Sequence, residues 1–207
     1  GKSTLLKLVA GLDRVDSGEI QRLGSFKVGY VFQDPHLLPW RTLYENVALP
    51  LELSNVPSSS HRSFVESSLA QVGLAQSASL YPGQLSGGMK MRASLARALV
   101  LAPSLLLLDE PFAALDELTR VHLEEELRRL WQERNMTIVL VTHSFSEAVF
   151  LADRIIMLAN TLPGGADEMQ IPLGTQRTQT LRRSGEFSSL VQSCRDKFET
   201  LYGGAFQ

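Results

Sequence analysis

The stretch from Tyr81 to Glu117, YPGQLSGGMKMRASLARALVLAPSLLLLDEPFAALDE, restricts this chain more than any other part of it. Three features follow one another there at short spacing: a glycine pair after Leu-Ser, a segment rich in Ala, Leu and Arg, and an apolar run that ends in two acids. Leu105 to Leu108 suits a strand buried on both faces of a parallel sheet, although so short a run also fits a buried helix segment. Asp109 and Glu110 fall where such a strand ends, and ligands of open α/β sheets bind outside the carboxyl ends of strands. One acid there can hold a hard divalent cation through its water shell, and a second can orient or deprotonate a water. The alternative is a core strand with solvated acids at its mouth.

Leu85-Ser86-Gly87-Gly88 precedes a helical pattern with apolar Met91, Leu95, Ala98 and Leu99, and Ser86 is placed to be its N-cap. Free N–H groups at a helix start, beside glycines that let a backbone approach closely, suit a phosphate; the same residues also suit a simple capped helix after a glycine turn. The chain opens on Gly1-Lys2-Ser3-Thr4, the second half of the phosphate-loop pattern G-x-x-x-x-G-K-[ST]. The combination points to a chain that handles a nucleoside triphosphate.

LSGGM at Leu85 to Met89 resembles the signature motif of ATP-binding cassette (ABC) transporter ATPases. LLLLDEP resembles their Walker B strand with the catalytic glutamate, and Ala114-Leu115-Asp116 resembles their D-loop. The resemblance covers about residues 1–160. It implies an α/β P-loop NTPase fold, a three-layer core with a parallel sheet and an inserted α-helical subdomain. The expected domains are a cassette at 1–160 (core 1–35 and 99–160, helical subdomain 36–98) and a partly helical extension at 161–207. The half phosphate loop implies a fragment from which the N-terminal β-subdomain is largely missing.

The resemblance also assigns roles. Lys2 would meet the β- and γ-phosphates, within a cradle begun by Gly1 and continued by Thr4, and Ser3 would ligate Mg²⁺. A compact cation and a hydroxyl oxygen suit those tasks. Gln33, after the β-rich run Val28 to Phe32, would be the Q-loop glutamine that touches Mg²⁺ and the attacking water; taken alone it reads as a surface residue. Asp109 would hold the metal, Glu110 polarise the water, and His143 sense the γ-phosphate, since an imidazole can donate to one of its oxygens. Ser86, Gly87, Gly88 and Asp116 would face a nucleotide held by a second ABC subunit, so that two cassettes enclose two ATP molecules.

Composition narrows the class. In 207 residues, 44% hydrophobic and 20% charged, there is material for one globular domain, with room for a subdomain. A net charge of −2 gives no support for a nucleic-acid partner. The single cysteine, Cys194, cannot form an internal disulfide and fits a reducing compartment. The longest apolar stretch, Ala98 to Leu108, is broken by Pro103-Ser104 and falls short of the roughly 20 residues that a membrane-spanning helix needs.

In chain order, Lys2 to Leu12 reads as a helix with Leu5, Leu8, Val9 and Leu12 on its apolar face and Gly11 as its C-cap. Leu37-Leu38-Pro39-Trp40 is an apolar cluster in a loop, either a contact surface or part of the protein's own core. By resemblance, residues 34–47 receive the transmembrane permease subunits. Pro57 and Ser58 to Ser60 read as a loop, and His61 to Val72 as a weak helix with Phe64, Leu69 and Val72 apolar. Glu117 to Asn135 is a strong helix with Leu123, Leu127, Leu130 and Trp131 on one face and Glu124–Arg128 and Glu125–Arg129 at the favoured i,i+4 spacing. Thr137 to Val141 reads as a further buried strand, then a short helix capped by Ser144 or Ser146, then Arg154 to Leu158 as a last core strand. TLPGGADEMQIPLG, beyond Asn160, reads as a turn-rich loop, and Thr178 to Tyr202 as one or two helices.

The expected activity is ATP hydrolysis, with ATP and Mg²⁺ as cofactors, on the cytoplasmic face of the inner membrane. VFQDPHLLPWRTLYENVALPLEL and LSGGMKMR look most similar to importers of nitrate, sulfonate, taurine and bicarbonate, which also work with a separate solute-binding protein. Two other readings stay open at this level: an ABC ATPase for lipid trafficking or for a task away from membranes, and a fragment that only mediates interactions.

Overall fold

A strand ladder at the centre of the chain fixes everything that carries the candidate site. The computed structural model describes all residues except 22, 23, 25, 114, 135, 159–165 and 203–207. Expectations for Ala114, for Asn135 at the end of the helix expected from Glu117, and for the first five residues of the loop expected beyond Asn160 therefore lie outside the described residues. The chain divides into two compact units, Gly1–Val141 and Thr142–Gln207.

In the first unit, β1 (Val28–Val31), β2 (Leu105–Asp109) and β3 (Thr137–Val141) form a parallel sheet in the order β1-β2-β3. Val31 lies opposite Leu108, and Asp109 opposite Val141. The central strand β2 buries Leu106, Leu107 and Leu108 almost completely, as its continuous apolar run requires. Strand β3 departs from expectation, for it is only partly buried and Val139 is exposed. It has a single neighbour, β2, among the described strands. Gly29 on β1 is a packing position, since a Cβ there would come within 2.8 Å of the Ala98 carbonyl oxygen.

Helix α1 (Lys2–Ala10) ends as expected at Gly11, whose φ of 75° suits glycine and whose N–H caps the carbonyls of Leu8 and Lys7. Its inward face differs from the expected one. Leu6 is the buried residue, whereas Leu5 and Leu12 are exposed. One residue along a helix is a rotation of about 100°, so counting leucines misplaces the contact face by that amount.

Three helices stand between β1 and β2: α2 (Leu43–Leu53), α3 (Ser58–Gln71) and α4 (Gly87–Leu99). Leu43, Val47 and Leu51 on α2, Val65 and Leu69 on α3, and Met91, Leu95 and Leu99 on α4 form their buried faces. Helix α2 was not expected. Thr42 and Glu45 form a capping box at its start, the side chain of each serving the other's backbone N–H. The serine run expected as a loop is the first turn of α3, behind Pro57, and Phe64 of its expected apolar face is exposed. Burial of Val65 and Leu69 outweighs the serines' weak helix preference.

Helix α5 (Glu117–Glu133) buries Leu123, Leu127 and Leu130 as read from the sequence. Arg129 pairs with Glu126 at 2.9 Å and Glu133 at 3.1 Å, while Glu124 and Arg128 are buried. The latter two belong to the helix's inner side and not to a solvated charge ladder.

The second unit holds α6 (Phe145–Leu151), β4 (Arg154–Leu158), β5 (Ala166–Gln170) and α7 (Gly185–Tyr202). Strand β4 is not the last strand. It pairs antiparallel with β5, Arg154 opposite Gln170 and Leu158 opposite Ala166, in a segment expected as loop. Val149, Phe150, Met157, Ile171, Phe187 and Cys194 make the core of this unit. Arg177 lies beneath the end of α6 with its side chain fully buried. It donates to the carbonyls of Val149, Phe150, Ala152, Leu173 and Gly174 and to Asp153 Oδ1.

Candidate nucleotide site

Parallel strands present their carboxyl ends at one edge, and the first unit gathers its chemistry there. Ser3, in the first turn of α1, donates from Oγ to Oδ1 of Asp109 at 3.0 Å. Two residues 106 apart in sequence are thereby brought into direct contact. Asp109 is 6% exposed, low for a carboxylate that accepts a single protein hydrogen bond of ordinary geometry. Tyr30 stands close by. Burial first, and then the Asp109 carboxylate, by its charge and as a hydrogen-bond acceptor, raises the pKa of its phenol.

Glu110 follows immediately and has a backbone φ of 48°. That left-handed conformation is uncommon outside glycine and costs on the order of 1 kcal/mol or more. It is held from both sides: the Glu110 N–H donates to the Val141 carbonyl at 3.0 Å, and its own carbonyl accepts from Ala113 N–H at 3.2 Å. The strand therefore turns sharply at the second acid, which is half-exposed while the first stays buried.

Gly1 is the N-cap position of α1, Lys2 its first residue, and Thr4 follows on the same turn. No side chain caps the start of this helix, whose first-turn N–H groups carry partial positive charge that favours anions. Gln33 is exposed, two residues beyond β1 at the same sheet edge. His143 belongs to the second unit, where it is exposed and precedes Ser144, the N-cap of α6.

Ser86, Gly87 and Gly88 form a separate group at the start of α4. Ser86 caps the helix by accepting from Met89 N–H at 3.2 Å. Asp116 caps α5 by accepting from Thr119 N–H at 3.0 Å. Hydrogen bonds from Thr119 hold the Asp116 carboxyl below the usual carboxylate range.

Two further buried or part-buried polar residues have no sequence signal. Arg97 on α4 donates to the carbonyls of Pro35 at 2.7 Å and His36 at 2.8 Å, pinning the segment just after Gln33; burial lowers the pKa of its guanidinium. Asn46 on α2 is fully buried and saturated. It accepts from Leu38 N–H at 2.7 Å and donates to the carbonyls of Leu38, Arg41 and Thr42. That amide holds the loop that carries Trp40, which is 71% exposed.

A hydroxyl and a carboxylate in contact are hard oxygen donors, a set that fits Mg²⁺. Among the described residues no group of three or more His, Cys, Asp or Glu is assembled for a metal. Such a partial donor set is what Mg²⁺ uses when substrate phosphates and water complete its octahedron.

A family model described as ABC transporter matches residues 1–113. The aliphatic sulfonates import ATP-binding protein SsuB 1 of Pseudomonas syringae pv. tomato is 45% identical over 177 residues, covering 86% of this chain and 62% of that protein. The bicarbonate transport ATP-binding protein CmpC of Synechocystis sp. is 42% identical over 200 residues, covering 91% of this chain and 30% of that protein. The chain thus spans about three fifths of the sulfonate relative's length and less than a third of CmpC. Among solved structures, a dimeric post-hydrolysis state of the ATP-binding cassette MJ0796 bound to ADP and Pi superposes with a TM-score of 0.69 at 31% identity, covering 84% of this chain and 82% of that one.

Proposed function

Because this chain belongs to the ABC transporter family, we propose that it is the nucleotide-binding part of a subunit that hydrolyses ATP to energise import of a small anionic solute. Sulfonate, bicarbonate, nitrate or taurine is the solute class, and separate membrane subunits form its path. The contact between Ser3 and Asp109, beside the strained Glu110, carries this reading.

Hydrolysis at a γ-phosphate is mostly positioning and charge stabilisation. Lys2 supplies a fixed positive charge to the β- and γ-phosphates, and Gly1 and Thr4 add backbone donors at the start of α1. Ser3, Asp109 and Gln33 hold Mg²⁺, which when bound neutralises charge on the phosphate oxygens. Glu110 orients and polarises the attacking water, its unusual backbone turning the side chain out of the strand line. The family resemblance that gives these roles also gives His143, in the second unit, the role of γ-phosphate sensor. Ser86, Gly87, Gly88 and Asp116 serve the nucleotide of a second subunit, and ATP favours the closed pair by binding it more tightly than the open one.

Trp40 and its half-buried neighbours Leu37 and Leu38 offer an apolar surface on a loop fixed by Asn46, suited to a permease subunit on the cytoplasmic side of the membrane. A solute-binding protein acts further upstream. The cassette runs on this reading to residue 160, a boundary of function, whereas the division after Val141 is one of contact.

The test is Glu110→Gln in the full-length protein with its membrane subunits. ATP binding should persist while turnover falls by about 100-fold or more, the scale of a lost general base. Unchanged turnover would remove Glu110 from this role.

A further inference from the structure

We propose that Thr119 is a positioning residue: its methyl group fills the space a side chain on Gly88 would need, and so fixes the corner formed by Ser86, Gly87 and Gly88 against the start of α5. The proposal rests on the reading of that corner as the surface offered to a second subunit's nucleotide. It explains why the two glycines of the motif are not equivalent.

A Cβ built on Gly87 meets nothing within 4 Å. One built on Gly88 comes within 2.7 Å of Thr119 Cγ2, closer than real Cβ atoms approach, with Leu115 Cδ2 at 3.8 Å. Gly87 thus faces open space and Gly88 faces a wall. The wall is stiff. Thr119 is β-branched and sits in the first turn of a helix, where χ1 has few allowed values. Its backbone N–H is committed to Asp116 Oδ1 at 3.0 Å.

The contact therefore joins two capped helix starts. One is capped by Ser86 and carries the motif glycines; the other is capped by Asp116 and follows Glu110 after a short turn. Their relative position depends on there being no atom between Gly88 Cα and the Thr119 methyl. A shift of about 1 Å at a substrate-positioning group is enough to cost on the order of 100-fold in rate.

Four full-length proteins decide the matter, each assembled with its membrane subunits: wild type, Gly88→Ala, Thr119→Ser, and the double variant. Alanine ordinarily stabilises a helix relative to glycine. Here Gly88→Ala should instead lower the melting temperature by roughly 2–10 °C, the scale of overpacking. It should also cut ATP turnover by about tenfold or more with little change in the KM for ATP, because the subunit's own phosphate site is untouched. Thr119→Ser removes only the offending methyl and keeps the hydroxyl. The double variant should recover most of both the melting temperature and the turnover.

If the double variant melts as low as Gly88→Ala, the methyl is not what excludes a side chain, and the proposal is overturned. If it recovers its melting temperature but not its turnover, Gly88 is needed for something other than room for Thr119, and the positioning role is overturned. A wild-type complex that binds ATP without turning it over would defeat the transport reading instead. The melting temperatures would still judge the contact.

Discussion

Asp109 and Arg177 are both buried charged residues, and they are treated in opposite ways. Arg177 in the second unit reaches six oxygen acceptors, five of them backbone carbonyls, and its side chain has no exposure. Asp109 at the sheet edge of the first unit accepts one hydrogen bond of ordinary geometry, from a serine that is itself exposed. Buried polar groups that hold a fold together are saturated, because each missing partner costs desolvation energy. A buried acid with lone pairs to spare is under-used as structure and available for chemistry. Asn46 follows the pattern of Arg177, with all its bonds closed inside the protein.

The largest effect expected on stability is at Arg177. Arg177→Met keeps the bulk and removes the charge, leaving several carbonyls beneath α6 without a donor. The loss should be about 3–5 kcal/mol, the scale for breaking a buried charged network. Denaturant unfolding followed by circular dichroism measures it. Asp109→Asn, by contrast, should change stability by less than about 1 kcal/mol, since an amide oxygen can still accept from Ser3. Its nucleotide turnover should nonetheless collapse. If Asp109→Asn destabilises as much as Arg177→Met, the acid is scaffold and the contrast is lost.

Asn46 lies between these poles, as a saturated group beneath a proposed docking surface. Asn46→Ala leaves the Leu38 N–H and the Arg41 carbonyl without their partner, while the Leu38 and Thr42 carbonyls keep the backbone N–H groups of Arg41 and residue 46, and should cost about 2 kcal/mol. The loop carrying Trp40 should loosen first. A fall in the anisotropy of Trp40 emission before global unfolding, read in a Trp131→Phe background, would sharpen the comparison, because it would show a scaffold bond spent on holding an exposed residue. Cooperative melting with no early change in anisotropy would place Asn46 with the general core.

The same contrast explains what could be read from sequence. GKST, SGG, LLLLDE and the cap Ser86 announce themselves because their chemistry is local, a hydroxyl meeting an N–H a turn away or an apolar run ending in an acid; of the two serines open as the next cap, Ser144 and Ser146, the structure takes Ser144. That such a serine and aspartate would serve one metal comes from family resemblance, and their direct contact was not expected, since nothing in their spacing of 106 residues demands it. Arg97 and Arg177 bond to backbone carbonyls far along the chain, and a carbonyl carries no side-chain signature. Strand β5 was hidden by its composition. Three of the five residues in ADEMQ are polar or charged, and they fall on both faces: Glu168 and Gln170 on the exposed one, Asp167 beside Met169 on the half-buried one, so no apolar alternation marks the strand. Helix α2 was legible in principle, through the spacing of Thr42 and Glu45, but the apolar cluster before it and Pro50 within it read more loudly.

The smallest effect concerns Asp116, the cap on which Thr119 depends. Hydrogen bonds from Thr119, its side chain before its backbone, lower the Asp116 pKa in the folded chain. A depressed folded pKa means that the unfolded state binds the proton more readily. The resulting stability is fully present above the unfolded carboxylate value of about 4 and is lost as pH falls through the lower folded value. Asp116 is exposed, so solvent screening keeps the contribution small. The measurement is a difference. Asp116→Asn preserves an N-cap acceptor but does not titrate. Wild type should exceed this variant in melting temperature at pH 7, and the gap should close as the pH is taken below about 4. A gap independent of pH would mean that the carboxylate's charge contributes nothing there. The start of α5 would then be held by geometry alone, through the cap and the methyl against Gly88.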